Sequence, residues 1–303
     1  MPERVRVHID GRELELSNLD KVLYPATGFT KGEIIDYYVR VAPTLVPHLV
    51  GRPLTRIRYP NGVGSASFFE KNAPGGTPHW VRKQNLPVPG SVSGRETLDF
   101  IVVDDIATLA WLANLAAIEL HTPQWRLHGS VPGKPDLLVA DLDPGPPAGL
   151  AECCLVAVAA KHRLEVDGLR PFAKTSGKKG MQLLCRLPGG QTSDEVTEYA
   201  RLVAEDLERA LPELITARMT KSLRPGKVFF DWSQNVAAKT TVSAYSLRAG
   251  AIPTVSAPFT WAEVEAAEVR PLSPAEVLER LDTHGDLLAD LLPPKPRKSR
   301  RAR

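Results

Sequence analysis

The chain has 303 residues and is 43% hydrophobic, enough to enclose a core as one large domain or two small ones. No stretch approaches the roughly 20 unbroken apolar residues of a membrane span, and three cysteines without ligand spacing argue against a disulfide framework and for a reducing cytoplasm. Six basic groups fall in residues 295–303 (KPRKSRRAR), so the net charge of +3 becomes −3 without them, and any nucleic-acid contact outside that tail has to come from local patches. The start, Met1-Pro2-Glu3-Arg4, lacks the pattern of a signal peptide.

Val5–Ile9 alternates, Asp10-Gly11 makes a turn, and Leu14 and Leu16 resume the pattern, which predicts a hairpin. A loop is expected from Ser17 to Phe29. Thr30 and Glu33 form a capping box that opens a helix toward Leu49. A strand follows over Leu54–Arg58, then a long Pro/Gly/Ser-rich loop from Asn72 to Gly94 and a strand over Leu98–Val103. Ala107 to Leu120 reads as one apolar helix ending at His121. Leu137-Leu138-Val139 is a buried strand running into Asp141-Leu142-Asp143-Pro144-Gly145, and Leu150–Leu164 is helical. Strands near Pro171–Lys174 and Met181–Leu187 flank the loop Ser176-Gly177-Lys178-Lys179-Gly180. Thr192 with Glu195 caps a helix to Leu211, Lys227–Trp232 and Thr240–Arg248 are strands, and Ser273-Pro274 with Glu276 opens a last helix. Helices and strands intermingle without a βαβ rhythm, so the fold class is α+β with mixed β-sheets. Residues 1–293 form the domain, and residues 294–303 a basic, disordered tail that either stays solvated or holds DNA.

The chemistry concentrates around Asp141 and Asp143. Residues two apart on a strand share a face, and a divalent cation such as Mg²⁺ or Mn²⁺ relieves the repulsion between two adjacent carboxylates. Asp231 adds a third acid in the apolar run Phe229-Phe230-Asp231-Trp232, where it needs either a metal or a basic partner. Three acids on neighbouring strands would suit a two-metal site. The loop Thr175–Gly180 offers backbone N–H groups and lysines to phosphate without Walker spacing, and Lys221, Arg224 and Lys227 precede the third acid. Structural ion pairs are the alternative for these cations. His121 is either a ligand contact or a satisfied core residue, and Phe68-Phe69 either stacks on bases or ends a core strand.

Taken together, Asp20-Lys21-Val22-Leu23-Tyr24-Pro25, Phe68-Phe69-Glu70-Lys71, His121-Thr122-Pro123-Gln124-Trp125, Asp141–Gly145, Thr175–Gly180, Met219–Arg224, Phe230–Asn235 and Lys239–Arg248 resemble the polymerase domain of bacterial ligase D, within the archaeo-eukaryotic primase superfamily. The resemblance runs from about Leu16 to Leu292. It implies a primase-polymerase core with flanking helices, in which Asp141, Asp143 and Asp231 hold two Mn²⁺ or Mg²⁺ ions. It implies that His121, Ser176, Lys179, Arg224 and Arg248 contact an incoming NTP or dNTP, and that Phe68 and Phe69 stack near a base. Lys21 and Lys31 would grip a DNA 5′-phosphate, the latter at a helix N-terminus that itself favours an anion. The resemblance further implies ribonucleotide preference, action at gaps, breaks or primer-template ends in non-homologous end joining, and a nucleoid-associated cytoplasmic location. A separate ATP-dependent ligase and the Ku end-binding protein would be its partners.

Three departures stand out. Ligase and nuclease modules are missing, which points to a stand-alone relative. Glu165-Val166-Asp167-Gly168 lacks the lysine of a ligase motif, and Ile57 takes a position that is basic in some relatives. The competing readings are a non-catalytic DNA-end-binding module, a stand-alone primase making short primers, and a metal-dependent phosphodiesterase.

Overall fold

The computed structural model describes residues 4–88 and 94–294. The hairpin β1 (Arg4–Ile9) and β2 (Arg12–Ser17) turns at Asp10-Gly11, both in the left-handed region. Two short strands, β3 (Val22–Tyr24) and β4 (Phe29–Thr30), lead into helix α1 (Lys31–Leu49). Then come β5 (Pro53–Arg58), β6 (Phe68–Glu70), β7 (Lys83–Pro87), β8 (Thr97–Val102), α2 (Ile106–Asn114) and β9 (Ala117–Thr122). A small hairpin of β10 (Trp125–His128) and β11 (Val131–Pro135) precedes β12 (Leu137–Pro144). The second half runs α3 (Leu150–Val166), β13 (Pro171–Thr175), β14 (Met181–Arg186), α4 (Ser193–Ala210), β15 (Ile215–Thr216) and β16 (Val228–Asp231). It closes with β17 (Thr241–Val242), β18 (Leu247–Arg248), β19 (Thr254–Val255), β20 (Pro258–Phe259), α5 (Trp261–Glu265) and α6 (Pro274–His284).

Two six-stranded sheets organise these elements, the first antiparallel throughout and the second mixed through its one parallel pair, β15 on β16. The first has the order β17-β9-β5-β8-β7, with β6 also on β5; the second has the order β15-β16-β12-β14-β13-β20. Helices α1 and α2 pack together beside the first sheet, and α3 and α4 pack on the second. Among the described residues, no helix is long and apolar enough to cross a membrane. The α+β class is as the sequence indicates, with one of the two sheets mixed.

Several local expectations need correction. The apolar run 107–120 is not one helix. Ala116 takes φ 58, which breaks α2, and the chain re-enters as the central strand β9. An apolar run buried on all sides carries no period to separate helix from strand. The expected strand over Thr240–Arg248 is two short strands separated by a turn with Tyr245 at φ 63. The Ser17–Phe29 loop contains β3, and the Asn72–Gly94 loop contains β7 while its residues 89–93 lie outside the described chain, as do residues 295–303 of the basic tail.

Candidate active site

In the second sheet, antiparallel register aligns Asp231 of β16, Asp141 of β12, Gln182 of β14 and Lys174 of β13 in one row across four strands. Cross-strand partners share a face, so the row is polar while Ala140 and Leu142 turn to the apolar side. Gln182 donates Nε2 to Asp141 Oδ1 at 3.0 Å and accepts from the Lys174 amine. Lys174 also donates to Val242 O and Ser256 Oγ. Asp231 is fixed by Ser233 N–H at 3.0 Å, the Ser233 hydroxyl, and Gln234 Nε2 at 2.8 Å. Asp143 lies two residues beyond Asp141, opposite Phe229.

Burial raises the Asp141 carboxyl well above the aspartate range, and Asp143 and Asp231 push it further. Asp143 is raised as well, by burial and Asp231, against the pull of Lys179, Arg224 and Arg248. Burial pushes the Lys174 amine down to about 7. The three acids and the cations around them therefore share one electrostatic environment. Among the described residues, no three His, Cys, Asp or Glu side chains close on a single point, and the three acids offer hard oxygens, the donor type that Mg²⁺ and Mn²⁺ take.

Cations line the neighbouring surfaces. Lys179 leans on Pro144 O at 3.2 Å, next to Asp143. The Ser176 hydroxyl accepts from Lys178 N–H and Gly180 N–H at 3.4 and 3.2 Å, leaving its proton to donate outward. The Arg224 guanidinium lies 3.7 Å from the Phe229 ring centroid and donates to Met219 O. The loop carrying Arg224 crosses Gly145 so closely that a Cβ there would stand 2.1 Å from Arg224 O. Lys227, by contrast, donates to Pro212 O, which leaves Lys221 and Arg224 of the three cations, and of these Arg224 acts on Asp143.

On the first sheet, β9 presents Glu119 and His121 on one face, with Thr55 and Ile57 of β5 opposite them. His121 Nε2 lies 3.0 Å from Glu119 Oε2. Burial lowers the His121 pKa, and Arg248 adds to this. Burial alone would raise the Glu119 carboxyl, but the His121 hydrogen bond, Arg248 and Lys178 together hold it at about 2. An ionised carboxylate only accepts, so Nε2 carries the proton of a neutral His121. Arg248 Nη1 is 3.4 Å and Lys178 Nζ 3.2 Å from Glu119.

Phe68 and Phe69 are 51% and 62% exposed, against the core-strand alternative. Register sets Phe69 opposite Ile57, on the Glu119 face, and Phe68 opposite Arg58. Lys21 donates to Asn61 Oδ1 at 3.1 Å, while Lys31 is buried and donates to Ser17 O. Burial and the nearby Lys21 charge bring Lys31 down to about 8. The expectation that the α1 N-terminus offers free N–H groups to an anion fails. Lys31 N–H and Gly32 N–H donate to Lys21 O and Leu19 O, and Glu33 N–H donates to Thr30 Oγ1. Only the two amines remain for that role.

The sequence reading missed Glu119, Gln182 and Lys174. Glu119 stands two residues before His121 on a strand, a same-face relation concealed by the expected helix. Gln182 and Lys174 become visible only through long-range register.

Comparison with known proteins places the chain in a family. Residues 30–288 match the family model described as LigD, primase-polymerase domain. The chain is 46% identical over 279 residues to the multifunctional non-homologous end joining protein LigD of Mycolicibacterium smegmatis, covering 92% of this chain and 36% of that protein. It is 33% identical to the bifunctional non-homologous end joining protein LigD of Bacillus subtilis, covering 90% of this chain and 43% of the relative. It thus spans less than half the length of these relatives. The solved polymerase domain of Mycobacterium tuberculosis ligase D in complex with DNA is similar in structure, with TM-score 0.88 and 45% identity, covering 92% of this chain and 99% of that one.

Proposed function

Because the chain belongs to the LigD primase-polymerase domain family, we propose that it is a metal-dependent nucleotidyltransferase that extends DNA 3′ ends at gaps and breaks during non-homologous end joining. The observation that carries this reading is the alignment of Asp231 beside Asp141, with Asp143 flanked by Lys179, Arg224 and Arg248. Asp141, Asp143 and Asp231 hold Mn²⁺ or Mg²⁺ through hard oxygen donors. Such ions, when bound, lower the pKa of an attacking 3′-hydroxyl and neutralise the departing pyrophosphate.

The remaining roles belong to the chain's own side chains. Ser176, Lys179, Arg224 and Arg248 orient the triphosphate so that its α-phosphate faces the acids, which is catalysis by positioning and fixed charge. His121 lines the nucleotide site as a neutral imidazole. Phe68 and Phe69 stack against bases, and Lys21 and Lys31 hold the 5′-phosphate across the gap. Ribonucleotides are the preferred substrates, and a DNA ligase activity and the Ku end-binding protein are the partners of the reaction.

The test is primer extension on a 5′-phosphorylated gapped duplex with labelled rNTPs or dNTPs and Mn²⁺, beside Asp141→Ala and Asp143→Ala. The wild type extends with pyrophosphate release, while both variants bind DNA and add nothing. Near-normal extension by both variants would remove the metal assignment. Strand shortening would indicate a phosphodiesterase, and DNA binding without any metal-dependent reaction an end-binding module.

A further inference from the structure

Glu119 is a carboxylate 1% exposed in the middle of a sheet, and it contacts groups from three separate elements. His121 of its own strand lies at 3.0 Å, Lys178 of the β13–β14 loop at 3.2 Å, and Arg248 of β18 at 3.4 Å. The Ala249 N–H donates to its Oε1 at 3.0 Å. Burying such a charge is costly unless it is paired, so the arrangement has a reason to persist only as a set. Without the carboxylate, Lys178 and Arg248 would repel one another. With it, both are drawn to one point while the cluster keeps a net positive charge.

Their donors are not exhausted. Lys178 is half-exposed and has three N–H bonds, and the buried Nε of Arg248 has no partner among the described residues. Arg248 also packs on the same loop that carries Lys178: a Cβ on Gly177 would stand 2.5 Å from Arg248 Cγ. We propose that Glu119 is a positioning residue that holds Lys178, Arg248 and His121 as a pre-assembled cradle, and that Lys178 is a further contact for the triphosphate of the incoming nucleotide. This deepens the polymerase reading and rests on it.

The experiment is a double-mutant cycle on the whole chain, Glu119→Gln and Lys178→Met singly and together, read by calorimetric titration with Mg²⁺–ATP and by KM and kcat in primer extension. Each single variant raises the ATP Kd about tenfold, the loss of one charge-assisted contact. The double variant is no worse than the weaker-binding single one, because Lys178 without Glu119 is no longer held. KM rises with Kd, while kcat changes far less. Effects that simply multiply, or a Kd unchanged by Lys178→Met, would overturn the proposal. Lys178→Met alters a half-exposed loop side chain and decides the matter alone if Glu119→Gln does not fold. A wild type that binds Mg²⁺–ATP yet extends no primer would refute the polymerase reading while leaving the cycle interpretable. A wild type that does not bind ATP overturns both.

Discussion

Gln182 bridges a buried amine and a buried carboxyl, with Lys174 on one side and Asp141 on the other. Gln182→Leu therefore leaves Asp141 Oδ1 without its donor, while Lys174 keeps Val242 O and Ser256 Oγ. It is expected to lower stability by about 1–3 kcal/mol, the cost of leaving a buried polar group unpaired, as measured by urea unfolding. Extension should fall along with stability, while DNA affinity should hold, since no DNA contact is altered. Gly177 meets two demands: φ +74, and a close approach in which a Cβ would stand 2.5 Å from Arg248 Cγ and 2.9 Å from the backbone at Val255 C and Ser256 N. Gly177→Ala should cost about 1–2 kcal/mol in backbone strain and also weaken Mg²⁺–ATP binding, because Arg248 must move. A melting scan and a titration separate the two effects; unchanged ATP affinity would mean that Arg248 does not depend on this contact. At this scale the acids were readable, since alternation alone puts Asp141 and Asp143 on one face. Their supports were not, because Gln182 and Lys174 lie 41 and 33 residues along the chain from Asp141 and meet it only in the folded sheet.

Helix starts were the most legible elements. The capping boxes Thr30/Glu33, Thr192/Glu195 and Ser273/Glu276 all form as their local spacing requires. A fourth, Thr260/Glu263, begins α5 and does more: Glu263 also binds Arg280 of α6 through two hydrogen bonds of 2.7 and 2.9 Å. Burial raises the Glu263 carboxyl, but Arg280 and the Thr260 N–H and hydroxyl outweigh it and hold the pKa at about 2, below the ordinary 4.5. A depressed carboxyl contributes its stability above pH 4.5 and loses it as pH falls toward 2. The wild type should therefore lose stability more steeply than Glu263→Gln over that window, with the two curves running parallel above it. Equal slopes in pH-dependent unfolding would show that the pair carries no linkage. The least legible junction was α2–β9, where Asn114 ends the helix and a left-handed alanine follows, with neither glycine nor proline to mark the change. That one junction concealed the Glu119–His121 pair.

In the whole molecule Arg248 of β18 links the acids of one sheet to Glu119 of the other, acting on Asp143 and pairing with Glu119, and a nucleotide bound beside it would tie the two sheets together. Mg²⁺–ATP at about 100 times its Kd should then raise unfolding free energy by about 2.7 kcal/mol, visible as a higher Tm, and the gain should disappear in Arg248→Ala. Removing the 5′-phosphate from a gapped duplex should weaken binding by a margin that shrinks in Lys21→Ala; equal affinity for both duplexes would count against the two amines as its site. The overall class was accessible from element order, whereas the meeting of the two sheets was not, because it depends on short strands such as β17 and β18 that carry almost no local signal.

Those short strands have a consequence for motion. β18 is two residues long, and what fixes its neighbourhood comes largely from tyrosines outside it. Leu247 N–H donates to the Tyr38 hydroxyl, Tyr37 donates to Tyr245 O, and Tyr24 donates to Arg248 O. The amide of Leu247 is thus sheltered by a side chain of α1. In heavy water it should exchange only as often as that helix lifts away, slowly and in step with the core of α1, although it sits in what looks like a turn. Tyr38→Phe removes the acceptor and should release that one amide to fast exchange while the helix amides keep their pace.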